Sequence, residues 1–205
     1  NITSTVTVAV SSTNDEKYDN LTSQVVIVTT VDNDGTPQVT LTVDNSSMSE
    51  TGGVVTLTVN MNTAATSDTT VALYASGTAT LNTDYELSST TLTVYADNTT
   101  ATATLTGISD QFVEGSESIV VDISGVSGGN GASESGTQQQ VITITDDDNA
   151  TVTIADVGVS ENAGTATVTL SLNNAVAGGF TVGVATTDGT AAAGSDYTAF
   201  SSTVT

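Results

Sequence analysis

Three carboxylates in a row, Asp146, Asp147 and Asp148, close the run "VITIT" (Val141–Thr145), and only Asn149 and Ala150 separate them from the next run, "TVTI". Adjacent like charges disfavour one another's ionised form, so a chain that keeps them together needs something to neutralise them. Side chains cannot do it. Lys17 is the only basic residue against 23 acids, His is absent, and the formal net charge is -22. More acids precede the triplet: Glu50 in "SETGG", Asp84 in "TDY", and Asp110, Glu114 and Glu117 in "ISDQFVEGSES". All occupy strand ends or loops, and in a sandwich such loops gather at the two ends. Carboxylates without His or Cys are the donor set of a hard divalent cation. Calcium takes about 6–8 oxygen ligands at ~2.3–2.6 Å, magnesium prefers a tighter and wetter octahedron, and zinc favours His or Cys. Calcium is the expected ion. A solvated acidic surface explains the total charge, but not the clustering.

The same composition excludes other chemistries. Phosphate binding needs Lys and Arg, so nucleic acid is not an expected partner, nor is an anionic membrane surface. No apolar run approaches the ~18 residues of a transmembrane helix, and residues 1–20 show no basic and apolar leader pattern. Without Cys there is neither a disulfide nor a thiolate metal site. No His or Cys can serve as base or nucleophile. A carboxylate pair could hydrolyse glycosides, but Trp is absent and aromatics are few, which leaves no sugar platform. The expectation is a protein that is not an enzyme.

The elements that must position the acids are strands. Thr and Val dominate, and β-branched side chains suit a pleated, half-buried surface. Alternation at period two recurs in "STVTVAV" (Ser4–Val10), "VTLTV" (Val39–Val43), "VVTLTV" (Val54–Val59), "TLTV" (Thr91–Val94), "TATATL" (Thr100–Leu105), "VITIT", "TVTI" (Thr151–Ile154) and "TATVTLSL" (Thr165–Leu172). Turn clusters such as "ETGG", "YADN" and "SGGNGASESG" separate the runs. Many short strands with regular turns predict an all-β protein built as a β-sandwich.

The chain also repeats itself. "VTLTVDNSSMSETGGVVTLTV" (Val39–Val59) returns as "VTIADVGVSENAGTATVTL" (Val152–Leu170), and "GTATLNTDY" (Gly77–Tyr85) as "GTAAAGSDY" (Gly189–Tyr197). "VVIVTTVDND" (Val25–Asp34) is similar to "QVITITDDD" (Gln140–Asp148). Residues 38–148 therefore read as one whole repeat, 1–37 as the last two strands of an earlier one, and 149–205 as the first half of a later one. Two strands, or half a sandwich, cannot bury a core alone, which makes the 205 residues read as a window on a longer array. Head-to-tail completion between molecules fits the sequence poorly, because neither outer segment carries a counterpart of Thr99–Glu117. Short linkers predict a stiff rod.

"SETGG", "GTATLNTDY", "GISDQFVEGSESIVVDIS" and "VITITDDDN" together resemble the Calx-β family. That family is named after the cytosolic regulatory domains of the sodium–calcium exchanger and also occurs in integrins and large bacterial surface proteins. The resemblance implies a seven-stranded immunoglobulin-like sandwich, repeated in tandem, with calcium bound in loops at one end. By motif match, Glu50, Asp84, Asp110, Glu114, Glu117 and Asp146 to Asp148 correspond to ligands. Glu161 and Asp196 match in the third repeat, and Asp32 and Asp34 in the first. Ser109 and Gln111 flank a single Asp110 where the family often has two or three acids, which implies fewer or weaker ions.

The expected function is a calcium-binding stalk segment of a secreted adhesin or filament on the bacterial cell surface. Its partners are calcium ions, further repeats of the same chain and a cell-surface or substratum receptor. The alternatives are a calcium-sensing regulatory module and an accessory domain of a secreted enzyme. Tyr85 and Tyr197 are expected in the core, Gly115 in a tight turn, and the loops Ser11–Asn20 and Ser127–Gly136 at the solvated surface.

Overall fold

A computed structural model describes residues 2–9, 22–31 and 35–205. Asp32, Asp34 and the loop Ser11–Asn20 lie outside the described residues. An antiparallel hairpin pairs β1 (Ile2–Val8) with β2 (Gln24–Thr30). Ten strands follow: β3 (Gln38–Val43), β4 (Ser47–Ser49), β5 (Val54–Met61), β6 (Thr69–Gly77), β7 (Tyr85–Leu87), β8 (Thr91–Val94), β9 (Thr100–Gly107), β10 (Glu117–Gly128), β11 (Ser133–Glu134) and β12 (Gln140–Thr145). They form two five-stranded sheets, β4-β12-β10-β6-β8 and β11-β3-β5-β9-β7. Two further two-stranded sheets pair β13 (Val152–Ile154) with β14 (Leu170–Leu172) and β15 (Val182–Ala185) with β16 (Ser201–Val204). Among the described residues the only helical element is the 3-10 turn Glu161–Ala163.

The sandwich follows from the alternation. β5 reads inward at Val55, Leu57, Val59 and Met61, all buried, with Thr and Asn between them. β10 and β12 face it with Ile119, Val121, Ile142 and Ile144. The register Leu41↔Val59 in one sheet and Ile119↔Ile142 in the other keeps these sets on the inner faces, because a slip of one residue would turn each set to water. Tyr85 is 1% exposed and closes the core at one end, as expected of it. Its counterpart Tyr197 is half-buried and donates its hydroxyl to Asp188 at 2.6 Å.

The family resemblance implied seven strands, and seven of the ten have four or more residues. The three short ones come from pairings that a linear pattern does not reveal. The chain leaves β3 and crosses at once to the opposite sheet as β4, which lies parallel to β12. β7 pairs with the end of β9. β11 corrects the expectation for the loop Ser127–Gly136, because two of its residues join the edge of β3 in parallel. "TATVTLSL" is also shorter than expected: only Leu170–Leu172 pairs, against the three residues of β13.

Candidate metal centre

Three registers bring the acids to one end of the sandwich. β4 and β12 run parallel with Ser49 opposite Thr145. The residues beyond them, Glu50 and Asp146 to Asp148, therefore leave the sheet side by side, and the Glu50 N–H donates to the Thr145 carbonyl at 3.0 Å. β10 begins at Glu117 opposite Ile144, which lays the loop Ile108–Ser116 beside the same triplet. β7 begins at Tyr85 opposite Gly107, so Asp84 meets the start of that loop, and the Ile108 N–H donates to the Asp84 carbonyl at 2.9 Å.

Six of the acids collect in two trios, Glu50 with Asp110 and Asp148, and Asp84 with Glu114 and Glu117. Within each, one carboxylate oxygen per residue lies within 4.8 Å of the others. Asp146 stands between the trios as an organiser. Its carboxylate accepts the N–H groups of Glu114 at 2.8 Å, Gly115 at 3.0 Å and Asp148 at 2.8 Å. Gly115 has φ +92°, a backbone that favours glycine, which accounts for its place in this turn. Asp147 belongs to neither trio. Its side chain is exposed and accepts the Thr51 hydroxyl at 2.6 Å.

The later acids of the expected set do not assemble. Glu161 sits exposed on its 3-10 turn. Asp196 is exposed and accepts the Ala192 N–H at 2.8 Å, a local turn contact. Neither belongs to a three-acid group among the described residues.

The trios are electrostatically uncomfortable. Burial, at 7% exposure, pushes the Glu50 carboxyl up, and the charges of Asp146, Asp148 and Asp110 add to it. Burial followed by neighbouring carboxylates raises Glu114, Glu117 and Asp148 in the same way. Asp146 is lowered by hydrogen bonds from the main chain, that of Gly115 first. One Asp148 oxygen is buried and accepts no hydrogen bond. Clustered carboxylates of raised pKa, a buried acceptor without a donor and no basic side chain nearby together fit a hard divalent cation.

A group whose folded pKa is raised contributes stability fully below its unfolded value and loses it as pH rises through the folded value. For Glu50, Glu114 and Glu117 that decline starts from the ordinary value of 4.5, and for Asp148 from 3.8. Asp146 has the opposite sign, so its contribution is lost only as pH falls below 3.8 through its lowered value. In chelator, the unfolding midpoint is therefore expected to be highest in mild acid and to fall toward neutrality. Thermal melts across that range check this.

Two features of the site carry no sequence signal. Gly107 closes β9 against Glu50: a Cβ there would lie 2.5 Å from the Ser49 carbonyl and 2.6 Å from that of Glu50. Gly107→Ala is expected to displace Glu50 and destabilise the sandwich by about 1–3 kcal/mol, measurable by urea unfolding. Val113, at the centre of the acidic loop, forms a parallel bridge to Val176. Its N–H donates to the Ala175 carbonyl at 3.0 Å, and its carbonyl accepts the Ala177 N–H at 2.8 Å. The Asn174 side chain ties the same turn back to the Asn149 carbonyl at 3.0 Å.

Among solved structures, CBD12 from CALX1.2 is 18% identical over 53% of this chain and 44% of its own, with a TM-score of 0.45. The apo-form Calx CBD1 domain is 18% identical over 54% of this chain and 99% of its own, also at 0.45. CBD12 of CALX1.1 is 19% identical over 50% and 41%, at 0.44. The chain thus spans less than half the length of either CBD12 structure. No curated protein matches it. The family model described as Calx-beta domain matches residues 32–156 and again 146–205, and the chain belongs to the Calx-beta domain family.

Proposed function

We propose that this chain is a calcium-binding structural segment of a tandem Calx-beta array, in a stalk or filament of a secreted bacterial cell-surface adhesin. The repeats divide at residues 1–37, 38–148 and 149–205. The observation that carries this reading is the pair of carboxylate trios, with no cationic side chain among the described residues to balance them. Glu50, Asp110 and Asp148 hold one ion, and Asp84, Glu114 and Glu117 another, with Asp146 keeping the loop between them in place. Bound calcium supplies the positive charge that lets these carboxylates stay ionised and close together. The loop that carries Asp110 and Glu114 also carries Val113, which bonds the turn at Ala175 and Ala177. Ordering the loop therefore stiffens the contact between successive repeats.

The test is calorimetric titration of calcium into the full chain. A structural stalk working at extracellular calcium is expected to bind in the ~10⁻⁴–10⁻³ M range of extracellular modules. Binding in the ~10⁻⁷–10⁻⁵ M range of sensors, with a change of shape in small-angle scattering, would move the reading to a regulatory module. No binding at millimolar calcium would overturn both.

A further inference from the structure

The middle sandwich covers its apolar faces, whereas the outer segments do not. On the β1–β2 hairpin, Val6 lies opposite Val26 and Ser4 opposite Val28. Val6, Val8, Val26 and Val28 therefore share one face, and they are 51%, 64%, 54% and 48% exposed. At the other end, Val152, Leu170, Leu172, Phe180, Val182 and Val204 line an open groove of about 390 Å³. Neither surface carries charge. Residues 2–9 and 22–31 contain no ionisable side chain, and none lines the groove, in a chain of net charge -22. A two-stranded hairpin alone in water is marginal at best, and uncharged apolar faces of this kind mark interaction sites.

We infer that the two surfaces are made for each other: the hairpin of one copy adds to the edge of β15 and covers the groove of another copy. The middle sandwich is the template. There β10, flanked by β12, pairs antiparallel with β6, which pairs with β8. "QVVIVTTVDND" (Gln24–Asp34) is the counterpart of the β12 stretch, and "TVGVATTDGTA" (Thr181–Ala191) that of "TTVALYASGTA" (Thr69–Ala79). Placing β1 beside β15 rebuilds the order β12-β10-β6-β8 as β2-β1-β15-β16. The missing counterpart of Thr99–Glu117, which made this pairing fit poorly from sequence, includes β9. In the middle sandwich β9 lies in the other sheet, between β5 and β7. Its absence leaves the mating sheet whole. The main-chain edge supplies hydrogen bonds and the alternate side chains supply fit, as in strand addition generally. The contact joins two different surfaces, so it propagates head to tail and does not close.

The inference does not use the acid trios, and its test separates the two. Sedimentation velocity on the full chain, in chelator and again in calcium, is expected to give a mass above the 20.5 kDa of one chain that grows with concentration in both. Val6→Asp with Val26→Asp removes the donor face, and Leu172→Asp with Val204→Asp removes the acceptor. Each doubly substituted chain alone is expected to sediment as one chain, with the middle sandwich melting as in the parent. An equimolar mixture of the two is expected to stop at a one-to-one dimer, because one intact donor and one intact acceptor remain. A parent chain that stays single at every concentration, or a donor-face variant that associates as the parent does, overturns the proposal. Association seen in calcium but lost in chelator overturns it as well, and assigns the contact to the metal.

Discussion

Adding calcium to the chelator-treated chain is expected to raise the unfolding midpoint of the sandwich by roughly 10 °C. A ligand bound only by the folded state stabilises it by RT ln(1 + [L]/Kd), about 1.4 kcal/mol at ten times the dissociation constant. For a unit of about 100 residues each kcal/mol moves the midpoint by ~4–8 °C. The structural reason for a response of this size is that the site is strained without an ion. Glu50, Glu114, Glu117 and Asp148 are all held above their ordinary carboxyl values by burial and by each other. Calcium requires these groups ionised, so the pH trend should reverse: the calcium-loaded protein gains stability toward neutral pH while the metal-free protein loses it. Differential scanning calorimetry with and without calcium at two pH values measures both. Parallel trends in the two conditions would sink the assignment.

The second large effect is expected from Glu50→Gln, and it has two signs. In chelator the substitution removes a buried charge that faces Asp146, Asp148 and Asp110 and keeps the shape of the side chain. The metal-free sandwich should become more stable. In calcium the same change removes one anionic oxygen from a trio, and the charge count of the ligands tunes calcium affinity. Affinity is expected to fall by at least about tenfold, equivalent to ~1.4 kcal/mol, with a matching loss of the thermal shift. Asp147→Asn is the control. Asp147 stands outside both trios with its carboxylate on the Thr51 hydroxyl, and its effect on calcium affinity should be small. Calorimetric titration of the two variants separates a ligand from an acid that merely lies nearby in sequence.

Much of the fold was legible because one face of each strand is buried. β3, β5, β8, β9 and β12 fall within two residues of the alternating runs, since burial imposes period two on their side chains. β6 was not among those runs, because Tyr74 and Ala72 on its outer face blur the contrast with Val71 and Leu73. β10 was obscured by a bulge between Ile123 and Gly125, where the register against β6 shifts. Such a shift breaks a periodic pattern while keeping the strand.

By itself the sequence determined the chemistry of this protein: an all-β chain, carboxylates as the sole ionic donors, no internal counter-charge, and hence a cation as the partner to expect. Those properties belong to residue types and local periodicity, which are written along the chain. Only the tertiary structure decided which acids meet. Glu50 reaches Asp148 because β4 crosses sheets and lies parallel to β12. Asp84 reaches Glu117 because β7 pairs with the end of β9 and β10 starts beside the end of β12. Asp147 points away although it is flanked by two residues of the site. The physical reason is reach. A carboxylate acts only over a few ångströms, so membership of a site follows from the register of strands distant in sequence, which hydrogen bonding across the sheets sets.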